Sequence, residues 1–316
     1  MMISGFTMAK NVSKLYYPIK ESIQSILPIV DEFVVALGDC DEDDKTREII
    51  NSINSPKIKI IDTKWDIEKF PDGMENAHQT DIAKETCSGD WLFYLQADEV
   101  VHEKYHETIK NRCKELLNNT EIEALLFNYI HFYGDYKHYL NSHGWYAQEI
   151  RIIRNNKDIH SFRSAQSFRR IPDFDGKSYR KKEGSIKLKV AKVDAYIYHY
   201  GWVRPPKFMQ KKKKALDTIH KGKETVAEMY DKVPAEFDYG PLGRLPIFTT
   251  THPKVMKTKI SKFDWGKKLD YAKKSKKNRK LFKHEQLKYR LLTFVEQKIL
   301  NKKQLFGNSN WEIINT

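Results

Sequence analysis

The sequence predicts an α/β protein: a mostly parallel, Rossmann-like sheet with an antiparallel extension and a basic, mainly helical C-terminal segment. Three observations predict it. In the first hundred residues short apolar runs alternate with segments of helical spacing. Between residues 124 and 200 strand-like runs follow one another without obvious helices between them. Beyond Pro205 the apolar spacing turns helical and lysine accumulates.

The elements follow in order. Ile3 to Met8 reads as a first strand, and Pro18 to Leu27, with Ile19, Ile23 and Ile26 at helical spacing, as a helix opened by proline. Phe33 to Leu37 is a second, buried strand. Asp44 can cap a helix running to Ile53, Pro56 breaks it, and Lys57 to Ile61 alternates as a third strand. Asn76 to Cys87 suits a helix that leads into a fourth strand. Repeated strand and helix imply right-handed crossovers and a parallel sheet. Ala124 to Tyr133, Glu149 to Ile153, Ile186 to Val190 and Val193 to Tyr200 supply the extension. Lys207 to Lys232 and Trp265 to Leu305 read as helical, joined by a Pro- and Thr-rich loop over 234–253. Leu287, Leu291, Phe294 and Leu300 fall near one face of the latter, which should pack on something or lie on a surface.

The most informative stretch is Ser88-Gly89-Asp90-Trp91-Leu92-Phe93-Tyr94-Leu95-Gln96-Ala97-Asp98-Glu99. An uninterrupted apolar run is expected of a strand covered on both faces, and this one ends in adjacent carboxylates. Open α/β sheets bind ligands at the carboxyl ends of their strands, so Asp98 and Glu99 offer hard oxygen ligands where a metal and a phosphate would sit. A plain strand followed by a polar turn is the alternative reading of these residues alone.

Charge is unevenly placed. The chain of 316 residues has a formal charge of +14. Residues 1–200 hold 28 Lys+Arg against 31 Asp+Glu, a balance of −3, and residues 201–316 hold 28 against 11, a balance of +17. Clusters such as Lys211 to Lys214 and Lys273 to Lys280 would attract nucleic acid, anionic lipid or phosphorylated substrates, or form a solvated helical face. No apolar stretch is long enough to cross a membrane, and the N-terminus does not resemble a secretory signal, so a cytoplasmic setting is expected. Cys40, Cys87 and Cys113 are too scattered for a disulfide framework or a zinc site and read as reduced thiols, the latter two on helices facing the core.

The order of motifs over roughly residues 1–205 resembles a family-2-type glycosyltransferase of the GT-A fold, the nucleotide-sugar-dependent class. Thr7-Met8-Ala9-Lys10-Asn11 resembles its opening strand and polar turn. Val30 to Asp39, followed by Asp44-Lys45-Thr46, resembles its second strand and nucleotide-holding loop, here with Asp41, Glu42 and Asp43 added. Gln96-Ala97-Asp98 stands where the family carries Asp-any-Asp, so the first acid is Gln96 and the usual direct metal ligand is Asp98. Arg151-Ile152-Ile153-Arg154-Asn155 resembles the short basic strand after the acceptor-facing loop, and Ile197 to Trp202 the late histidine segment, with His199 as a metal ligand in several relatives.

The resemblance implies a donor site of Thr7, Asn11, Asp39, Asp44, Gln96, Ala97 and Asp98, a metal held by Asp98 and His199, and acceptor or phosphate contacts at Arg151, His160, Arg163 and Trp202. It places a glycosyltransferase domain over 1–203, with a nucleotide-sugar half of about 1–100 and an acceptor half of about 101–203, ahead of a basic C-terminal region over 204–316.

The chemistry suits those residue types. A cation bridging the diphosphate oxygens offsets the charge that collects there as the glycosidic bond breaks, and Mn2+ or Mg2+ suits carboxylate, water and one imidazole. An inverting transfer also needs a base near the acceptor hydroxyl. Glu149 is the candidate beside Asp98 in catalysis, with Asp135 and Glu99 as alternatives. For His199, His160 and Arg163 a structural role is the competing reading, and for Trp145 and Trp202 burial competes with sugar stacking.

The expected function is sugar transfer from a nucleotide-sugar donor to a glycan or glycolipid acceptor such as a cell-surface polysaccharide or lipopolysaccharide. The basic segment would hold the protein peripherally at an anionic membrane face. A nucleotidyltransferase is the second reading, although Gly5 stands alone where that class needs a Gly-rich loop. A nucleic-acid-binding protein ranks third, because the lysine clusters lack interleaved aromatics.

Overall fold

The computed structural model describes residues 1–274, 279–300, 304–305 and 310–316. The middle of the basic run 273–280 and part of the segment read as helical up to Leu305 lie outside these residues. The first half alternates as expected: β1 (Ile3–Ala9), α1 (Ile19–Ile26), β2 (Glu32–Leu37), α2 (Thr46–Asn51), β3 (Ile58–Asp62), α3 (Met74–Glu85) and β4 (Trp91–Tyr94). The N-cap of α2 is Lys45, and Asp44, one residue earlier, accepts from the Thr46 N–H at 2.8 Å through Oδ1. The chain continues through β5 (Glu99–Val101), α4 (His106–Glu115), β6 (Ala124–Tyr133), β7 (Tyr139–Leu140), β8 (Gln148–Arg154), a hairpin of β9 (Ile159–Phe162) and β10 (Ser167–Arg170), and β11 (Leu188–Trp202). Helices α5 (Pro206–Lys221), α6 (Lys223–Tyr230), α7 (Lys257–Ser261) and α8 (Leu287–Lys298) and a last strand β12 (Trp311–Ile313) complete it.

The main sheet runs β12-β11-β6-β8-β4-β1-β2-β3. Along this path only β8 is reversed: it pairs antiparallel with both β4 and β6, and the other neighbours are parallel. The extension is therefore less antiparallel than its lack of helices suggests. The chain leaves β6, turns back through β8, makes the β9–β10 hairpin and returns in β11 parallel to β6. The segments read as two strands before Tyr200 are one strand, β11, and a register shift against β6 between Lys192 and Tyr196 is what interrupts its alternation.

Alternation sets the layers. Phe33, Val35 and Leu37 of β2 point into one core with Ile19, Ile23, Ile26, Trp91 and Phe127, whereas Val34 and Ala36 point into a second with Phe6, Tyr94, Ile150 and Phe168. A third cluster, Phe132, Tyr133, Tyr198 and Tyr200 from β6 and β11, packs with Phe237, Tyr239, Leu242, Met256 and Trp265. The segment after residue 204 thus shares a core with the sheet. Its long helix is divided at Gly222, whose φ of 82° places it where a side chain is disfavoured. Cys113 is buried on α4, and Cys87 is buried just beyond the end of α3.

Arg154, at the end of β8, organises the turn after α4. Its guanidinium donates to the carbonyls of Ile122 at 3.0 Å, Leu117 at 2.7 Å, and Leu116 and Asn119 at 2.6 and 2.9 Å. The group also lies 4.0 Å over the Trp91 ring. Arg154→Met should lower stability by about 2–3 kcal/mol, read as a lower urea midpoint with an unchanged m value.

Candidate functional site

The strand order fixes where a ligand can bind. From β1 the chain steps one way to β2 and β3, then returns to place β4 on the other side of β1. The loops after β1 and β4 diverge, and the crevice between them is the switch point of the sheet. Lys10 and Asn11 stand at one lip and Asp98 at the other, and the carboxyl end of β11 brings in His199. His199 faces Glu99 of β5 and His131 of β6 in register.

A chain of proton positions defines the centre. His131 Nε2 lies 2.7 Å from the Tyr146 carbonyl, to which it can only donate. Its Nδ1 is then an acceptor, and it lies 2.9 Å from Nδ1 of His199, which must donate. The remaining nitrogen, His199 Nε2, therefore turns a lone pair toward Asp98 Oδ1, 3.7 Å away. Burial holds both imidazoles neutral, pushing His131 down to about 4 and His199 well below its ordinary range. Burial alone would raise the Asp98 carboxyl, but Lys212 and then Arg204 outweigh it and hold Asp98 ionised. His199 Nε2 and Asp98 Oδ1 are thus two acceptor atoms that can share a cation, although among the described residues no group of three or more His, Cys, Asp or Glu gathers as a metal site. Gly201 leaves room for one, since a Cβ there would lie 2.4 Å from His199 Nε2 and 2.8 Å from Asp98 Oδ2.

Two further cations converge on Asp98. Lys212 of α5 donates to Asp98 Oδ2 and to the Gly201 carbonyl, each at 2.8 Å. Burial, then the nearby Arg204, lower its ammonium to about 8 against the pull of Asp98. Arg204 is fully buried, its guanidinium 3.9 Å from Asp98 Oδ2 and bonded to the Leu15 carbonyl at 3.0 Å. Its Nε and one terminal nitrogen have no hydrogen-bond partner. Both cations lie over Tyr17, at 5.0 Å for Lys212 and 4.5 Å for Arg204. One carboxylate against two fixed cations leaves a positive centre with unused donors, which is what an anionic ligand requires. Neither residue was singled out from the sequence: Lys212 is one of four consecutive lysines, and nothing local marks it as the inward-turned one.

Behind this centre lies a closed polar layer. Arg151 donates to Glu99 through Nε at 2.8 Å and a terminal nitrogen at 2.7 Å, and both side chains are fully buried. The rest of its guanidinium reaches the carbonyls of Ile150 and Gln166. Four of its five N–H donors are thus used, and its full burial makes Arg151 a core residue out of reach of an acceptor or phosphate. Glu99 also accepts from Tyr129, and Asp135 is held by His138 and Tyr271. Glu149 is 1% exposed and accepts from the Ile150 N–H at 3.0 Å. Burial raises its carboxyl to about 7, against the opposing pull of Arg151. A base needs contact with the acceptor as well as a suitable proton affinity, and burial denies Glu149 that contact.

Of the residues expected at the donor site, Asn11, Asp39 and Asp44 gather where the loops after β1 and β2 meet. Asn11 donates to Asp41 Oδ1 at 3.1 Å and accepts from the Asp41 N–H at 2.8 Å. Asp39 pairs with Lys10 at 2.7 Å and accepts from the Trp65 N–H at 2.9 Å. Asp44 is spent on Ser13, Lys14 and the first turn of α2, so its role is to join the two loops. Thr7 is fully buried within β1. Gln96 donates to the Ala165 carbonyl at 2.9 Å, and Ala97 is buried beside it.

Next to Asp39 lies a group the sequence reading missed. Trp65 Nε1, Glu75 Oε2, Gln79 Oε1 and Thr63 Oγ1 are buried without hydrogen-bond partners. Glu75 and Gln79 stand one turn apart on α3, bonded to each other at 2.7 Å. Gln79 also reaches the Lys64 carbonyl, and Lys10 lies 5.5 Å over the Trp65 ring. The available signal was α3 itself, whose buried face is polar: Glu75, Asn76, Gln79, Thr80 and Asp81.

The expected acceptor contacts scatter. His160 donates through Nδ1 to Asp81 Oδ2 at 2.8 Å and lines an open cavity of about 400 Å3 with His78, Phe174 and Tyr179. Arg163, at φ 62°, lies over the Phe162 ring. Trp202 is half-buried between Tyr133, Trp145 and Phe237, as a packing residue.

The raised Glu149 carboxyl predicts a sign. The native state holds this proton and the unfolded chain releases it near 4.5, so Glu149 contributes stability at low pH that is lost as pH rises to about 7. Glu149→Gln, neutral throughout, should gain on the wild type by roughly 2–3 kcal/mol between pH 4.5 and 8 in urea unfolding; a constant difference would show an ordinary glutamate.

No family model matches the chain, and no curated protein matches it. Among solved structures it is similar to glucosyl-3-phosphoglycerate synthase from Mycobacterium tuberculosis in complex with Mn2+, UDP and phosphoglyceric acid, at 19% identity and a TM-score of 0.27. That match covers 42% of this chain and 43% of the other. It is also similar to S. aureus TarS 1-349 in complex with UDP, at 15% identity and a TM-score of 0.38, over 69% of this chain and 65% of that one. The chain thus spans less than two thirds of either, and scores this low leave the residues themselves to carry the functional reading.

Proposed function

We propose that the chain is a metal-assisted GT-A glycosyltransferase of the family-2 type, moving a sugar from a nucleotide-sugar donor to a glycan or glycolipid acceptor. The observation that carries this reading is the Asp98–His199 pair: an ionised carboxylate and an imidazole lone pair meet at the switch point, flanked by the buried Arg204 and the inward-turned Lys212.

The donor set fits a divalent cation. Asp98 Oδ1 and His199 Nε2 would hold it, with His131 fixing the tautomer of His199 from behind, and the mixed oxygen and nitrogen set suits Mn2+ at least as well as Mg2+. Bound there, the ion would offset the charge collecting on the diphosphate as the glycosidic bond breaks. Arg204 offers its two unpartnered nitrogens, and Lys212 its ammonium, to the phosphate oxygens. The buried group of Trp65, Glu75 and Gln79 beside Asp39 presents both donors and acceptors, as the edge of a nucleobase requires. Inversion at the anomeric carbon, implied by the family resemblance, has no exposed base among Glu149, Asp135 and Glu99.

Gly5 lies inside β1, where a Cβ would meet the Phe33 ring at 2.5 Å, so it belongs to strand packing rather than to the phosphate loop of a nucleotidyltransferase. A cytoplasmic setting at the inner face of a membrane completes the reading. Among the described residues no helix is long and apolar enough to cross a membrane.

Asp98→Asn keeps the volume and removes the charge. It should cut sugar transfer by at least about 100-fold while the protein remains folded; undiminished, metal-dependent transfer would remove Asp98 from the centre. Thermal shift against nucleoside diphosphates with and without Mn2+ supplies the donor class. His131→Phe takes away the acceptor that orients His199, so Mn2+ affinity by titration calorimetry should fall about 10- to 100-fold; unchanged affinity would place His131 in packing alone.

A further inference from the structure

Helix α8 is built inside out. Its polar face holds the body of the protein: Glu296, 3% exposed, accepts from His143 Nδ1 at 2.7 Å. Thr293 Oγ1 accepts from the His143 N–H at 2.9 Å, Gln297 donates to the Asn141 carbonyl at 3.2 Å, and Tyr289 stacks on His143. The opposite face is apolar and uncovered. Leu287, Leu291 and Phe294, spaced four and three residues apart, are 68%, 59% and 59% exposed, and Ile299 just beyond is 65% exposed. Scattered exposed leucines need no explanation, but a helix that turns its hydrophobic stripe outward does, because burying that stripe is the usual reason for such a helix to form.

The charges around the stripe select what covers it. Lys280, Lys283, Lys288, Arg290 and Lys298 are all exposed. The acids nearby are engaged: Glu285 pairs with Arg279 at 2.6 Å, and Glu296 with His143. An apolar ridge rimmed, among the described residues, by cations matches an anionic lipid surface, where aliphatic side chains enter the acyl boundary and lysines meet the headgroups. A second copy of the chain fits poorly, since a two-fold contact through this ridge would set the same cationic rim against itself.

We propose that α8 docks the protein on anionic phospholipid bilayers by inserting Leu287, Leu291, Phe294 and Ile299 into the interface. The proposal does not depend on the transferase reading.

The test is sedimentation of the full chain with vesicles of phosphatidylcholine alone and of phosphatidylcholine mixed with phosphatidylglycerol, at low and high salt. Leu291→Glu/Phe294→Glu alters two exposed positions, and its thermal unfolding should match the wild type. The wild type should bind the anionic vesicles, and the double variant should bind at least about tenfold more weakly. In a Phe294→Trp variant, emission should shift to the blue and be quenched by brominated lipids. Equal binding by wild type and double variant, or quenching no greater than in water, would reduce the contact to lysine attraction and overturn insertion. A wild-type dimer in sedimentation velocity that the double variant abolishes, without vesicle binding, would assign the ridge to self-association.

Discussion

The site depends on one buried ion pair. Glu99 and Arg151, both removed from water, bind through two parallel hydrogen bonds, and two further Arg151 donors reach the carbonyls of Ile150 and Gln166. Glu99 also receives the Gln96 N–H at 3.1 Å and the Tyr129 hydroxyl at 2.8 Å. The turn from Gln96 to Glu99 is thereby tied to β8 and β6 at once, and Asp98 stands on that turn. Two buried charges cost desolvation, and good geometry with every lone pair used offsets that cost, so the pair is better read as fixing position than as adding stability. Arg151, which the sequence suggests as a ligand contact, does its work one layer below the ligand.

A second layer of control runs through the imidazoles. The Tyr146 carbonyl sets the tautomer of His131, His131 sets that of His199, and His199 turns its lone pair toward Asp98. Each step is an ordinary hydrogen bond, yet together they carry a backbone carbonyl's preference across two strands to the centre. Cross-strand register makes this possible, since His131 and His199 are direct neighbours on β6 and β11.

Much of the architecture was legible because its signals are local. Apolar runs, a proline at the start of α1 and Asp44 just before α2 specify elements within a few residues, and their alternation specifies a parallel sheet. Asp98 and His199 were legible as a pair through motif order. Long-range facts were not. That β6 and β11 are parallel neighbours depends on a crossover of more than fifty residues, and that Lys212 alone among four lysines turns inward depends on how α5 meets β11. The burial of Glu149 and Arg151 was hidden for the same reason: charged residues in a strand look alike whether they face solvent or a partner brought from elsewhere. The polar buried face of α3 shows the limit of hydropathy, which reads such a helix as weakly amphipathic when its interior face is chemically selected.

The Lys212 ammonium resting on Asp98 gives the centre an internal counter-charge. A carboxylate buried without any partner would make the native state hostage to its metal, as in small domains that unfold when the ion is stripped away. Here the carboxylate is compensated before any ion arrives. Under the proposed function, folding and metal loading would therefore be separate events: the chain would mature where divalent ions are scarce and be loaded later, and a chelator would act on it as a reversible inhibitor and not as a denaturant.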